Sequence, residues 1–376
     1  MVLMVTSGLS ANEIYCLSKK GLYPSDICIG NSVYSLGFLG GFTSNVRMFL
    51  GGEVSQLTTI FQEGRRLGFE RMVNESKKNN NIGITGVTNE LIFHLENIEF
   101  LSVGSSVRSD NTNIEFFSTS SSGQELYSQI DSNYVPKSFV FGNVAYSIGV
   151  GKGLVGNLKS FVRGEVKEYT EVFTKTRNLA LERIVNEAKQ FNANSVVGIN
   201  TSILSLENNI GIQEMLMVGT ASYNSYLPQE FINNPISGNL SSEEIWNITN
   251  MGYIPLKLML GTSIYSLGIR GGITSALKSL VKGEISELTT LIYDARESSL
   301  QKIRDEASSI GADDVINVKT YIYDLGSGLL EFLAIGTAIK KYQGVKTFSD
   351  TLLTQAVTYN RNTFIDNTRL GFQFRV

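Results

Sequence analysis

The pattern of hydrophobic and polar positions repeats three times along the chain and predicts the same elements each time. A strand rich in Val, Ile, Phe and Tyr is followed by a Gly-rich turn, a long amphipathic helix and two further apolar strands. The register is clear, because Tyr34, Tyr146 and Tyr265 recur at intervals of 112 and 119 residues. Repeats of this length are whole domains. We expect these tyrosines to be core residues with satisfied hydroxyl groups.

The long helix is predicted over 55–78, 167–190 and 286–309. In the third copy its apolar and small residues fall at steps of three and four, which is one stripe of a helix with 3.6 residues per turn. Small side chains recur along this stripe at Gly64, Gly68, Ser76, Thr176, Ala180, Ala188, Ala295, Ser299 and Ala307. We therefore expect a sheet to approach the helix backbone closely. Glycines in the first strands indicate a bulge or the same close approach, at Gly30, Gly142 and Gly261.

A short helix with a specified start and end is predicted near the beginning of each copy. The starts have the S-x-x-E spacing of a capping box, at Ser10 with Glu13, Ser122 with Glu125, and Ser241 with Glu244. The ends have a residue that tolerates left-handed geometry and a proline three positions later, at Gly21 and Pro24, Asn133 and Pro136, and Gly252 and Pro255.

These elements predict an α+β protein with three tandem two-layer domains, each a small, mostly antiparallel sheet packed on one long helix. We call the repeats unit 1 (1–107), unit 2 (114–223) and unit 3 (236–341). A tail over 342–376 has no counterpart in the other copies and ends in the strand-like LGFQFRV. This tail is a candidate strand for a neighbouring chain or a protein partner.

The composition excludes several classes of protein. Hydrophobic residues make up 42% and charged residues 18% of 376, with a net charge of -3, so no bulk charge favours nucleic acid or anionic lipid. Two cysteines and one histidine do not suit a disulfide framework or a soft-metal cluster. The longest uncharged run, 27–46, contains polar residues and several glycines, which is not typical of a bilayer helix. We expect a cytoplasmic protein.

Residues of the third and second copies carry a family resemblance. In the third copy these are Ala295-Arg296, Ala307 and 311–316, and in the second Thr176-Arg177, Ala188 and 192–199, each closed by Gly-Thr-Ala at 336–338 or 219–221. The chain resembles the YbjQ-like family of putative heavy-metal-binding domains, with unit 1 the most divergent copy. This resemblance implies a small dodecin-like α/β subunit that closes rings, typically of five, with no established enzymatic activity. The chain departs from the family in its three fused copies, and in its Glu53, Glu165 and Glu284, where Gly-Gly-Arg often precedes the long helix.

Ionisable residues kept in all three copies are the candidate site residues. They are Glu53, Arg65 and Glu75 in unit 1, Glu165, Arg177 and Glu187 in unit 2, and Glu284, Arg296 and Glu306 in unit 3. Arginine suits a two-pronged contact with a carboxylate. One interpretation is an active-site acid with an anion clamp, although no histidine, lysine or nucleophile repeats beside them. We favour the other, in which the charges meet across copies or chains. An exposed ion pair on the helix is the remaining alternative.

Metal and nucleotide sites have weaker support. Cys16, Cys28 and His94 lack a metal-ligand spacing, so we predict no soft-metal site. A hard-cation site at Asp313 and Asp314 stays open as an alternative. The segment 151–156 matches GxGxxG, but the other copies keep only its middle glycine and no acidic residue follows a second parallel strand. We predict a tight turn there and no cofactor.

The leading hypothesis is a non-enzymatic structural protein that forms a ring of identical chains, with a pentamer favoured. Two arrangements remain open: each copy builds its own tier, or the copies share one ring. The alternative hypothesis is a module that binds a small anion or a metal ion through the repeated arginines. A third, weaker hypothesis is a membrane-associated pore.

Overall fold

The computed structural model describes residues 4–35, 52–94, 97–111, 113–147, 163–205, 212–268, 286–326 and 328–352. Unit 1 contains α1 (Ala11–Ser18), β1 (Tyr23–Ser35), β2 (Gly52–Glu53), α2 (Ser55–Lys78), β3 (Gly83–His94) and β4 (Asn97–Arg108). Unit 2 contains β5 (Phe117–Ser118), α3 (Gly123–Asp131), β6 (Val135–Ser147), β7 (Gly164–Glu165), α4 (Lys167–Lys189), β8 (Ser195–Ser205) and β9 (Ile212–Tyr223). After α5 (Glu230–Asn233), unit 3 contains β10 (Ile236–Ser237), α6 (Ser242–Asn250), β11 (Tyr253–Ser266), α7 (Ser286–Ser309), β12 (Asp314–Gly326) and β13 (Leu329–Lys341).

Each unit has an antiparallel sheet whose last long strand lies between the other two, and the long helix covers one face. The orders are β1-β4-β3-β5, β10-β8-β9-β6-β2 and β12-β13-β11-β7. The predicted α+β fold with three tandem units is confirmed.

Short strands are exchanged between neighbouring units, which the sequence pattern does not indicate. The opening strands β5 and β10 add in parallel to β3 and β8 of the preceding unit. In the other direction, β2 and β7 add antiparallel to β6 and β11 of the following unit. The three sheets are therefore linked in chain order through the same two contacts.

Glycines in the first strands let the sheet approach the helix. A Cβ atom on Gly30 would lie 2.1 Å from the Gly68 carbonyl oxygen, and one on Gly142 would lie 2.3 Å from that of Ala180. These distances are far below van der Waals contact. The predicted close approach is confirmed, and the strand irregularities fall instead after the prolines, as between Pro136 and Ser138.

The short helices begin and end where the caps predict. Complete capping boxes are present at Ser10, Ser122 and Ser241. The backbone then turns left-handed at Gly21 (φ 69°), Asn133 (φ 66°) and Gly252 (φ 79°). Helices α1, α3 and α6 lie side by side along the row of units.

The hydrophobic core continues across the unit boundaries. The largest cluster contains Phe173 and Ile184 of unit 2 together with Ile264 and Leu333 of unit 3. A second cluster joins Phe61 of unit 1 to unit 2 residues. Removing a unit from the chain would thus expose apolar surface on its neighbour.

Some predictions concern residues outside the described ranges. These are the GxGxxG segment 151–156, Glu284 and the strand-like end of the tail. The first part of the tail lies against the units: the Tyr342 N–H donates to the Gly252 carbonyl, and the Phe348 N–H donates to the Asp131 carbonyl. Among the helices of the described ranges, none is long and apolar enough to cross a membrane.

Candidate functional site: the contacts between units

Arg177 on α4 of unit 2 forms a buried ion pair with Glu331 on β13 of unit 3. Its Nη2 lies 2.7 Å from Glu331 Oε2 and 2.9 Å from Oε1, and its Nε lies 3.1 Å from Oε1. Both side chains are 0% exposed. The guanidinium also lies 4.5 Å from the centre of the Tyr146 ring, a favourable cation–π position. The two-pronged geometry fixes the position of unit 3 relative to unit 2.

Burial alone would lower the pKa of Arg177, but the Glu331 carboxylate outweighs it and raises that pKa above its usual value. The arginine therefore stays charged, and Glu331 supplies the compensating charge. An uncompensated charge at such a position costs several kcal/mol, roughly 3 to 5 when one partner of a buried pair is removed.

Arg65 on α2 of unit 1 makes the equivalent contact to unit 2. Its Nη2 lies 2.6 Å from Oε2 of Glu214 on β9, and the two side chains are 2% and 1% exposed. Asn143 donates to the other oxygen of Glu214 at 3.2 Å. The same pair of residue types thus joins unit 1 to unit 2 and unit 2 to unit 3.

Backbone hydrogen bonds repeat at the same boundary. The Val54 N–H donates to the Ala145 carbonyl, and the Val166 N–H donates to the Ile264 carbonyl, each at 2.8 Å. In return, the Ala145 N–H donates to Thr58 Oγ1 at 3.0 Å. The Ile264 N–H donates in the same way to Thr170. The two unit contacts are equivalent in their backbone as well as in their charges.

Each boundary also has a second, more exposed ion pair, formed by Glu53 in the first boundary and by Glu165 in the second. Arg183 Nη2 of unit 2 lies 2.7 Å from Glu53 Oε1 of unit 1. Lys302 Nζ of unit 3 lies 2.8 Å from Glu165 Oε1 of unit 2. Exposed pairs of this kind contribute about 0 to 1 kcal/mol each, so they support the contact without dominating it.

The Glu75, Glu187 and Glu306 positions act mainly within their own units. Glu75 accepts from the Ile29 N–H at 2.6 Å, and Glu187 accepts from the Phe141 N–H at 2.7 Å. Glu306 lies 2.5 Å from Lys257 Nζ. Glu187 also meets Arg66 of unit 1 at 3.2 Å. Burial raises the pKa of Glu187, which these bonds partly offset.

Arg296 differs from its two equivalents. It lies on α7 with an exposed side chain, and no residue in the described part of the chain forms an ion pair with it. Four of the nine predicted residues therefore lie in the two boundaries as repeated contacts: Glu53, Arg65, Glu165 and Arg177. Three bond mainly within their own units, Arg296 has no ion pair in the described ranges, and Glu284 lies outside those ranges.

Tyr146, the two cysteines and Asp313 are the other candidates for catalysis or metal binding. The Tyr146 hydroxyl donates to Gln213 at 2.5 Å, and burial raises the pKa of Tyr146, so this phenol stays protonated at neutral pH. No group of three or more His, Cys, Asp or Glu residues able to hold a metal occurs in the described ranges. Cys16 and Cys28 are both free and buried. Asp313 accepts from the Lys341 N–H at 2.7 Å.

A family model described as "Putative heavy-metal-binding" matches the chain three times, over residues 22–108, 129–224 and 248–342. Together these segments cover about three quarters of the chain. The chain belongs to the YbjQ family. Each YbjQ match contains one long helix with its first strand and closing hairpin, so the repeated element is the family's domain.

Several relatives are similar to this chain. The encapsulin nanocompartment protein Rv1762c of Mycobacterium tuberculosis is 31% identical over 227 residues, which are 57% of this chain and 84% of that protein. A UPF0145 protein of Vibrio campbellii is 42% identical over 85 residues, 23% of this chain and 80% of its own length. The UPF0145 protein Ta0182 of Thermoplasma acidophilum is 35% identical over 99 residues, 24% of this chain and 83% of its own.

Asp131 joins all three YbjQ units at the end of α3. Its Oδ1 accepts from Lys20 of unit 1 at 2.6 Å and its Oδ2 from the Trp246 indole of unit 3 at 2.8 Å. Ser349 of the tail donates to both oxygens. Burial would raise the pKa of Asp131, but these donors outweigh burial and lower it. The carboxylate is therefore stabilised in its charged form.

Replacing Asp131 by asparagine is expected to lower the free energy of unfolding at pH 7. A carboxyl group with a lowered folded-state pKa contributes stability above its unfolded pKa of about 3.9, and that contribution is lost as the pH falls through the folded value. Urea unfolding at pH 7 and at pH 3 should show a difference from the wild type that shrinks in acid. Glu115→Gln, which removes an exposed pair with Lys137, is the control. A difference that grows in acid would contradict this assignment.

Sequence reasoning missed Glu214, Glu331 and Asp131. The two glutamates have a signal, since Glu99, Glu214 and Glu331 occupy the same position of the last long strand in each YbjQ unit. Asp131 has none, because unit 1 has Lys19 and unit 3 has Asn250 at the nearest helix-end positions. Comparison of the three copies can therefore reveal a contact that occurs at both boundaries, but it cannot reveal a contact that occurs once in the chain.

Proposed function

We propose that the protein is a non-enzymatic structural protein that assembles with copies of itself into a closed ring. The observation that carries the proposal is the equivalence of the two contacts inside one chain. Each uses a buried arginine and glutamate pair, exchanged short strands and the same backbone hydrogen bonds. Such a contact joins two different surfaces head to tail, so it repeats from copy to copy and forms a ring when the rotation between copies closes.

The three units are proposed to be consecutive members of one shared ring. The three units of one chain lie edge to edge and exchange strands with each other. In stacked tiers, neighbours in a ring would belong to different chains, so strands would be exchanged between chains and not within one chain. A shared ring made of copies of this 376-residue chain holds a multiple of three units. Two chains with six units are then the smallest assembly beyond a single chain, and the ring of five units that the family resemblance implies does not match this count.

The relatives support an assembly role. The mycobacterial relative is named as an encapsulin nanocompartment protein, and the other similar proteins carry no enzyme name. Seven of the nine repeated charged residues bond between or within units, which is a structural role. These observations favour a scaffold over an enzyme.

The anion-binding alternative has less support from the geometry. Arg65 and Arg177 already hold carboxylates of the neighbouring unit and are buried. An added anion would have to displace Glu214 or Glu331 from inside the protein. The described residues offer a metal ion no cluster of ligands either.

Negative-stain electron microscopy of the native protein tests the ring. We expect closed particles in which the number of units is a multiple of three. Open curved filaments would show that the contact repeats without closing, and isolated three-unit arcs would contradict self-assembly.

A further inference from the structure

Each boundary between units joins two different surfaces, which we call the donor side and the acceptor side. Unit 3 has a donor side and unit 1 has an acceptor side that are not used in a boundary within the described chain. The donor side carries the arginine of the long helix, and the acceptor side carries the glutamate of the last long strand. In unit 3, the equivalent Arg296 is exposed and forms no ion pair with a described residue. Unit 1 keeps the corresponding glutamate, Glu99, whose side chain is 16% exposed, whereas Glu214 is 1% and Glu331 is 0% exposed.

Glu99 is held in the geometry that its equivalent uses. Asn31 donates to Glu99 Oε1 at 2.7 Å, as Asn143 donates to Glu214 Oε1 in unit 2. Arg65 donates to the second oxygen of Glu214, whereas His94 Nε2 lies 2.6 Å from the second oxygen of Glu99. The His94 side chain is 54% exposed and lies at the surface. An arginine from outside could therefore take its place.

The first strand of unit 1 exposes apolar positions that the other units cover. Val33 is 57% exposed, whereas the equivalent Ala145 and Ile264 are fully buried by the preceding unit. Ile29 is 50% exposed, and its equivalent Phe141 is 2% exposed. The acceptor side of unit 1 therefore has the apolar surface of an internal boundary without its cover.

Unit 3 also exposes a surface that units 1 and 2 bury. It lies on β12, the equivalent of the strands that pair with the opening strand of the following unit. Val87 and Ile199 are each 3% exposed, and their N–H groups donate to the opening segments of the following units, at Thr119 and Gly238. The equivalent Val318 on β12 is 40% exposed. Both ends thus show the surfaces that the internal boundaries bury.

We propose that a second copy of this chain covers these ends, with Arg296 of one chain paired to Glu99 of the next. This inference rests on the proposed function, since it names the contact that would close the ring. The occupant is a second copy because the two surfaces are complementary to each other and match boundaries that the chain forms twice internally. The buried ion pair then repeats between chains.

Two charge reversals, Glu99→Arg and Arg296→Glu, test the contact. Each variant alone would place like charges at every boundary between chains, and we expect the concentration for half-assembly to rise at least about tenfold. An equimolar mixture should assemble again. In a ring with an even number of chains, such as the two-chain ring, the variants can alternate. One boundary then has the wild-type pair and the next has the reversed pair, so every arginine meets a glutamate.

Sedimentation velocity of each variant and of the mixture measures the assembly. Arg304→Glu is the matched control, because Arg304 lies on the same helix, is exposed and pairs with Glu297 of that helix. We expect it to assemble like the wild type. All these positions are outside the buried core of one chain, and far-UV circular dichroism should give the wild-type spectrum.

The outcomes separate the two proposals. If the wild type assembles and the single reversals assemble equally well, or if the mixture fails to recover, the Arg296 to Glu99 contact is wrong while self-assembly stands. If the wild type is a monomer at all concentrations, the proposed function fails, and the contact fails with it.

Discussion

Glu331→Ala is expected to lower the free energy of unfolding by about 3 to 5 kcal/mol. The substitution leaves the Arg177 guanidinium buried between two units with no carboxylate, and both side chains are fully buried in the intact pair. Chemical unfolding can be followed through Trp246, because it is the single tryptophan of the chain and lies in unit 3. We expect the unfolding midpoint to move to a clearly lower denaturant concentration.

The repeated architecture supplies a matched control for this substitution. Glu99→Ala changes the equivalent residue of unit 1, where the side chain is 16% exposed and its partners are Asn31 and His94. We expect a loss of about 1 kcal/mol or less in the monomeric chain. A second variant that replaces both Arg177 and Glu331 by apolar residues of similar size should recover most of the lost stability. When both variants are measured at a concentration where the chain is monomeric, equal losses for Glu331→Ala and Glu99→Ala would contradict the boundary assignment.

Gly142→Ala is expected to destabilise unit 2 by about 3 kcal/mol. The added Cβ atom would lie 2.3 Å from the Ala180 carbonyl oxygen and 2.6 Å from the Ile184 nitrogen, so the sheet and α4 would have to separate. Both clashing atoms belong to a helix backbone, which cannot rotate away as a side chain can. Thermal melting and urea unfolding measure the loss.

Gly8→Ala is the control for the glycine substitution. Its Cβ atom would meet the Ser105 hydroxyl at 2.9 Å, and the next atom lies 3.9 Å away. Because a serine hydroxyl can rotate, we expect a change within about 0.5 kcal/mol. If both substitutions have the same small effect, the close approach of strand and helix is not needed for stability.

The sequence predicts the helices well because their signals are local. The expected ranges 55–78 and 286–309 agree with α2 and α7, and the expected 167–190 exceeds α4 by one residue. Apolar spacing and the caps act within a few turns of the chain, so one copy of the repeat is enough to read them. The same local pattern occurs in each of the three copies, which supports the prediction three times.

The partners of the repeated arginines need information from beyond the local pattern. Arg65 and Glu214 are 149 residues apart, and nothing near either residue indicates the other. The contact lies between units, so the relevant comparison is the arginine of one unit with the last long strand of the next. Exchange of two-residue strands such as β2 leaves even less signal, because two residues carry no periodicity.

The mass of the native particle tests the central claim most directly. Native mass spectrometry at micromolar concentration should give one discrete species that contains two or more chains of 41.3 kDa, with two chains as the smallest closed ring. This mass should persist on moderate dilution, since closing a ring makes every boundary intramolecular with respect to the others. A single chain mass at every concentration would contradict self-assembly and the head-to-tail contact together.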